Sequence, residues 1–150
     1  MQTLKTALVY FISETNLPIS ITKSKLFQAL LGLCNPNIAH IMVQCTALIA
    51  HLSNIYFYHQ EHLCKILTTN KYPLSLTADT WTSPNVTAYM AITGHFINAN
   101  FNLISVLLGF SEIEGDHSGA SLAFFLNIIQ RYNISNQIVC ITSDNSLVNN

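Results

Sequence analysis

Residues 86–110, VTAYMAITGHFINANFNLISVLLGF, decide the fold of this 150-residue chain. On both sides of Asn98 to Asn100, apolar residues alternate with other residues, and this period of two is typical of strands that bury one face. The sequence therefore predicts two strands joined by a short turn. The residues predicted on the buried face are Val86, Ala88, Met90, Ile92 and Phe96 in the first strand, and Ile104, Val106, Leu108 and Phe110 in the second.

The segments on either side of this hairpin complete an α/β pattern. Leu74 to Ala78 is predicted as a short preceding strand, and Ile138 to Thr142 as a last strand. Between the hairpin and the last strand, helical spacing predicts one helix with a buried side formed by Leu122, Phe125, Leu126 and Ile129. We expect three antiparallel strands, a crossover helix, and a fourth strand beside the first and parallel to it.

The first 70 residues carry a helical period instead. Three helices are expected, the second capped by Thr22 and the third carrying one long apolar stripe from Ile41 to Ile66. Beyond Pro73 the period changes from 3.6 to 2. We therefore predict two domains, a helical segment over 1–70 and an α/β unit over 71–150.

Composition excludes several classes of protein. The chain is 50% hydrophobic and 9% charged, the opposite of a disordered protein, and its apolar runs are too short to cross a bilayer. A net charge of −1 lacks the basic excess of a self-sufficient DNA binder, so we expect weak DNA affinity. Four cysteines without a CxxC pair are typical of reduced thiols in an intracellular protein.

Two aspartates, Asp79 and Asp144, stand at the carboxyl ends of the first and last predicted strands. If these strands are parallel neighbours about 4.8 Å apart, both carboxylates lie at one edge of the sheet. Such a pair suits Mg²⁺ or Mn²⁺, the ions of two-metal phosphoryl transfer. However, aspartates that follow strands commonly cap turns, and spacing alone favours that second interpretation.

The sequence around the aspartates contains more specific motifs. Asp79 lies in LSLTADTWTSPN (74–85), and Asp144 lies in ITSDNSLVNN (141–150). These segments resemble the D-x-W-T-S and T-x-D-N-A-x-x-N motifs of the hAT transposase superfamily, including its RICESLEEPER-like, BED-finger derivatives, with Ser146 in place of the usual Ala. Between them, AYMAITGHFI (88–97) and LLGFSEIEGDHSGASLA (107–123) resemble the next two strands and the G-x-H-T-G loop, with Ser118 in place of Thr.

The resemblance implies an RNase H-like fold and a nuclear enzyme that cuts DNA strands and transfers them. Two Asp and one Glu hold Mg²⁺ or Mn²⁺ in that family, and Asp79 and Asp144 match the two aspartates as catalytic and metal-binding residues. The family's glutamate lies on a helix far downstream and has no match here, and neither does its BED zinc finger. We therefore expect the first half of the core, with weak or absent metal binding, weak DNA binding and no transposase activity alone.

Other candidate residues have two interpretations each. By resemblance His117 contacts DNA or orders the loop before the helix, and a capping role is the alternative. Trp81 is interpreted as core packing beside the first strand, with stacking on a DNA base as the alternative. Glu112 and Glu114 flank a loop and are interpreted as a solvated charge pair, with replacement of the family's third carboxylate as the alternative. The residues of a conceivable zinc site do not have zinc-binding spacing; they are His51, His59, His62 and Cys64.

Two other functions remain open at this point. The first is a transposon-derived binding or regulatory module that pairs with full-length transposase or another protein through an unpaired sheet edge. The second is an unrelated small α/β domain in which the aspartates only cap turns.

Overall fold

A computed structural model describes residues 3–37, 45–113 and 117–143, apart from the side chains of His117 and Ser118. The order of elements agrees with the predicted series of helices, three strands, helix and strand. The elements are α1 (Leu4–Thr15), α2 (Lys25–Cys34), α3 (Cys45–Thr69), β1 (Leu74–Thr82), β2 (Ala88–Ile97), β3 (Leu103–Ile113), α4 (His117–Tyr132) and β4 (Ile138–Ser143). None of the described helices is long and apolar enough to span a membrane.

The chain divides into two compact units, residues 1–61 and 62–150, so that the residues of α3 belong to both. The first unit has a small core of its own, formed by Leu8, Val9, Ile12 and Leu48. Its second helix is capped by Ser24, whose Oγ accepts from the Phe27 amide, so the prediction of Thr22 as the cap is wrong. Thr22 is instead buried in a 3₁₀ helix, where its hydroxyl donates to the carbonyl of Ile19.

The second unit is a four-stranded sheet in the order β3-β2-β1-β4. β1 and β2 pair antiparallel, as do β2 and β3, whereas β4 returns beside β1 and parallel to it. This is the predicted topology, and it agrees with a partial RNase H-like fold.

One face of this sheet forms the core of the second unit. β1 buries alternate residues, Leu74, Leu76 and Ala78, and β2 buries Met90, Ile92 and Phe96 in the same way. α4 and the end of α3 pack against this face through Ile128 and Leu67. We call this side of the sheet the core face. We call the opposite side the open face, because no described element of the second unit packs on it.

The structure corrects three details of the predicted buried faces. Val86 lies in the β1–β2 turn with φ 60° and is 85% exposed, so β2 begins later than predicted. Leu122 and Leu126 of α4 are exposed, because the helix buries Ser121, Ile128 and Tyr132 instead. Phe110 lies on the open face because the β2–β3 register shifts between Ile92 and Thr93.

That shift is a bulge that adds Leu108 to the core. Ile92 pairs with Gly109 and Thr93 pairs with Leu107, so Leu108 has no partner on β2. Leu108 and Gly109 consequently both face the core, and the alternation of β3 changes phase between them. α4 packs closely over Gly109: a Cβ there would lie 2.6 Å from Ile128 Cδ1 and 2.9 Å from Phe124 Cζ.

Replacement of this glycine tests the close approach. We expect Gly109→Ala to destabilise the second unit by about 1–3 kcal/mol, since the fully buried Ile128 would have to shift within a packed core. Gly119→Ala is the matched control: nothing lies within 4 Å of its Cβ position, and alanine favours a helix. Urea unfolding measures both. Equal stability of Gly109→Ala and wild type would contradict this packing.

Candidate functional site

Asp79 is exposed on the open face of β1. Alternation along the strand turns Leu76 and Ala78 into the core and therefore turns Thr77, Asp79 and Trp81 to the other side. The sequence predicts that β1 ends at Ala78. In the structure β1 continues to Thr82, because β2 pairs with it along its whole length. Asp79 pairs with Ala91 within the strand, and the aspartate is therefore not a turn-capping residue.

Asp79 also has a defined position relative to β4. The described parallel pairing ends at Ala78 with Ser143, so Asp79 is the first β1 residue beyond it. Asp144, the residue that follows Ser143 in the chain, lies outside the described residues. That the two carboxylates share one site therefore stays a prediction.

Three aromatic rings form a cluster beside Asp79, which we call the ring cluster: Trp81, Tyr89 and Phe110. The centroid of Tyr89 lies 6.0 Å from Trp81 and 5.5 Å from Phe110, and Trp81 lies 5.8 Å from Phe110. Trp81 is 44% exposed and Phe110 56%. The interpretation of Trp81 as core packing is therefore wrong, since it packs on the side of β1 opposite to the core.

A polar chain crosses the same three strands on the other side of Asp79. The Thr77 hydroxyl is 3.0 Å from His95 Nε2, and His95 Nδ1 is 2.9 Å from the Ser105 hydroxyl. Each distance is that of a hydrogen bond, and one imidazole thereby links β1, β2 and β3. Asp79 lies between this polar chain and the ring cluster.

The described part of the open face carries acidic and neutral side chains and no basic ones. Its described residues include the exposed carboxylates Asp79 and Glu112 and no Lys or Arg. Glu112 lies near the end of β3, opposite Tyr89, and is exposed. Glu114, the other predicted member of a solvated pair, lies outside the described residues. Among the described residues, none of the elements brings three His, Cys, Asp or Glu side chains together for a metal ion. Asp79 thus fits one ligand position for a hard cation, and the second predicted ligand, Asp144, is not described.

The remaining candidates have other surroundings. The backbone of His117 begins α4, and its side chain lies outside the described part. His51 and His59 hydrogen-bond to Thr6 and Tyr10 of α1, and the Cys64 thiol donates to the carbonyl of Tyr132. Each of these three side chains is thus held by a hydrogen bond to another residue of the same unit.

Sequence reasoning missed Tyr89, Phe110 and the polar chain. The sequence does indicate the side of the sheet on which Tyr89 lies. Alternation that buries Met90 turns Tyr89 to the opposite side, which is also the side of Asp79 and Trp81. Phe110 could not be assigned in this way because the bulge at Leu108 reverses the phase of β3.

Comparison with known proteins shows which family model and which relatives this chain resembles. The family model of the ZBED1 RNase-like domain matches residues 77–150. The putative transcriptional regulator tpeD of Talaromyces stipitatus is 31% identical over 144 residues, covering 95% of this chain and 17% of the relative. The putative AC transposase of Zea mays is 30% identical over 100 residues, covering 66% of this chain and 12% of the relative.

A third relative is less similar in sequence. Zinc finger BED domain-containing protein RICESLEEPER 3 of Oryza sativa is 22% identical over 129 residues, 85% of this chain and 17% of the relative. The chain therefore spans less than one fifth of the length of these curated relatives. No solved structure matches the chain.

A double-mutant cycle tests the ring cluster. We expect Trp81→Leu and Phe110→Leu to couple by about 0.5–1.5 kcal/mol in the free energy of unfolding, the usual value for an aromatic pair. The control cycle pairs Trp81→Leu with Leu103→Ala, at the opposite end of β3, and should be additive. Denaturant unfolding gives both values, and additivity in the first cycle would show that the rings do not interact.

Proposed function

Because this chain belongs to the hAT transposase superfamily, we propose that its sheet is part of a metal-dependent core that cleaves DNA strands and transfers them. The observation that carries the proposal is the position of Asp79, which is exposed at the first β1 residue beyond the described β1–β4 pairing. The carboxylate there is accessible to a cation and to a phosphodiester.

The proposed metal ligands are Asp79 and Asp144, with Mg²⁺ or Mn²⁺ as the ion, since carboxylate oxygens are the ligands that these hard cations prefer. In such sites the ions activate the attacking oxygen and stabilise the leaving oxygen of a phosphodiester. Asp79 would contribute one oxygen ligand from a paired strand, which is a more rigid support than a loop.

DNA is the proposed partner, bound weakly by these 150 residues in the nucleus. The described open face has no Lys or Arg to replace phosphate counterions, so affinity must come largely from other contacts. The exposed ring of Trp81 supports stacking on an unpaired base, two residues along the strand from Asp79. For His117, contact with a DNA phosphate or ordering of the loop before α4 remains the proposal.

Metal titration is the direct test of the two aspartates. We expect the 150-residue chain to bind Mn²⁺ weakly, because only two of the family's three carboxylates are among its residues. Calorimetry should show no binding heat for Asp79→Asn combined with Asp144→Asn, an exchange that keeps side-chain shape and removes charge. Glu112→Gln, which removes an exposed carboxylate from the same face, is the control and should bind like wild type. Equal binding by the double variant would contradict the assignment.

Strand cleavage is a separate test of how complete the site is. We expect no nicking of supercoiled DNA by the purified 150-residue chain with Mg²⁺ or Mn²⁺, since two carboxylates alone do not form the family's full ligand set. Gel electrophoresis measures the nicked product. Cleavage that disappears in Asp79→Asn would show that these residues suffice for catalysis.

A second candidate function is regulation without catalysis. It is favoured by the relative that is named a putative transcriptional regulator and that matches 95% of the chain. In this role the sheet would contact a full-length transposase or another protein through an edge strand. Absence of Mn²⁺ binding by the folded wild-type chain would favour this role over a metal-dependent one.

A further inference from the structure

We propose that two copies of this chain associate through β3, with residues 103–107 of each copy paired antiparallel about a two-fold axis at Ser105. We call these five residues the edge segment. The partner is thus a second copy of this chain, and the strand that binds it is one that carries neither predicted metal ligand. This association is independent of metal binding and of DNA.

The edge segment lies on an outer strand of the sheet. β3 is the first strand in the order β3-β2-β1-β4, and among the described residues of the second unit only β2 pairs with it. The pairing with β2 is regular from Leu103 to Leu107, and the bulge at Leu108 ends this regular stretch. The outer side of such a strand presents N–H and C=O groups to which another strand can hydrogen-bond.

Covalent reach excludes the undescribed residues of the second unit as partners of the edge segment. Residues 114–116 connect Ile113 to α4 and span only about 10 Å, whereas Leu107 lies about 20 Å from Ile113 along β3. Residues 144–150 follow β4, and the outer side of β3 is four strand spacings away, about 19 Å. These residues span at most about 25 Å, which leaves too little length for pairing along the edge segment.

The sequence of the edge segment is self-complementary. It reads LISVL, with a leucine at each end, a β-branched residue beside each leucine, and Ser105 at the centre. Antiparallel pairing about Ser105 places Leu103 opposite Leu107 of the second copy, and Ile104 opposite Val106 of the second copy. Each side chain thereby meets one of similar chemistry on its own face of the sheet. An axis at any other residue of the segment would pair fewer of the five.

Exposure and charge also favour a second copy as the partner. Leu103 is 70% exposed and Leu107 57%, so their pairing removes apolar surface from water. In a two-fold contact a charged residue near the axis would lie close to the same charge of the other copy. None of residues 103–111 is charged. Edge strands that avoid pairing commonly carry lysine or proline, and β3 contains neither.

The small size of the contact determines how strongly the copies associate. A standard interface contains about 20–30 residues from each partner, and the edge segment supplies five. We therefore expect a weak, reversible dimer whose population rises with protein concentration. Sedimentation equilibrium of the wild-type 150-residue chain should show a mass that increases from one chain towards two across a concentration series.

Ser105→Lys is the variant that separates the copies, because it places two like charges directly opposite each other at the axis. We expect it to sediment as one chain at concentrations where wild type forms dimers. Ser105→Ala is the matched control. Like the lysine variant it loses the hydrogen bond between the Ser105 hydroxyl and His95 Nδ1, but it adds no charge and should dimerise like wild type.

Disulfide crosslinking tests the register in a chain whose exposed Cys34 and Cys140 are replaced by serine. Ser105→Cys should form a disulfide between copies, since Cα atoms of opposed residues lie about 4.5–5.5 Å apart, within disulfide range. Leu103→Cys alone should stay reduced, because its two copies lie about 14 Å apart. A mixture of Leu103→Cys and Leu107→Cys chains should crosslink. Non-reducing gel electrophoresis measures the products, and it keeps the test valid should Ser105→Lys not fold.

Each result supports or overturns the proposal. A wild-type chain that stays monomeric throughout the series overturns it, and slow amide exchange at 103–107 in that monomer would show that another part of the chain covers the edge. A dimer that persists in Ser105→Lys overturns the role of β3. Crosslinking of Leu103→Cys alone, without crosslinking of Ser105→Cys, overturns the register. None of these measurements uses a metal ion, so their outcomes are separate from those of the proposed function.

Discussion

The second unit depends on the central place of β1, which pairs antiparallel with β2 on one side and parallel with β4 on the other. Because side chains alternate along a strand, burying Leu74, Leu76 and Ala78 necessarily turns Asp79 and Trp81 to the opposite side. The hydrophobic core and the candidate site are therefore two faces of one strand. A one-residue slip in the pairing of β1 would exchange them.

The order of elements could be predicted because it depends on local period, and the parallel return of β4 because few topologies suit one crossover helix. Side-chain burial was predicted less well where tertiary contacts decide it. The orientation of α4 follows from its close approach to Gly109, which leaves Leu122 and Leu126 exposed. Asp79 was proposed from its motif, but the ring of Phe110 beside it was not, since its side of the sheet depends on the phase change at Leu108.

The chemical character of the open face links the fold to the family. A sheet surface with Asp79, Glu112 and three clustered rings, and with no Lys or Arg among its described residues, is poorly suited to hold DNA through phosphate contacts alone. The contacts that we propose for it are with a cation and with an unpaired DNA base. The curated relatives are more than five times as long as this chain.

The bulge at Leu108 also bears on which changes in the length of β3 the sheet can accept during evolution. Removing that one residue would leave Leu107 and Phe110 on the open face and Val106 and Gly109 on the core face, because Leu108 is the extra residue of the strand. A lineage that gained or lost this codon would change the volume of the core by one leucine and leave the order of residues around Asp79 intact. Relatives whose β3 differs by one residue in length can therefore retain the same surface.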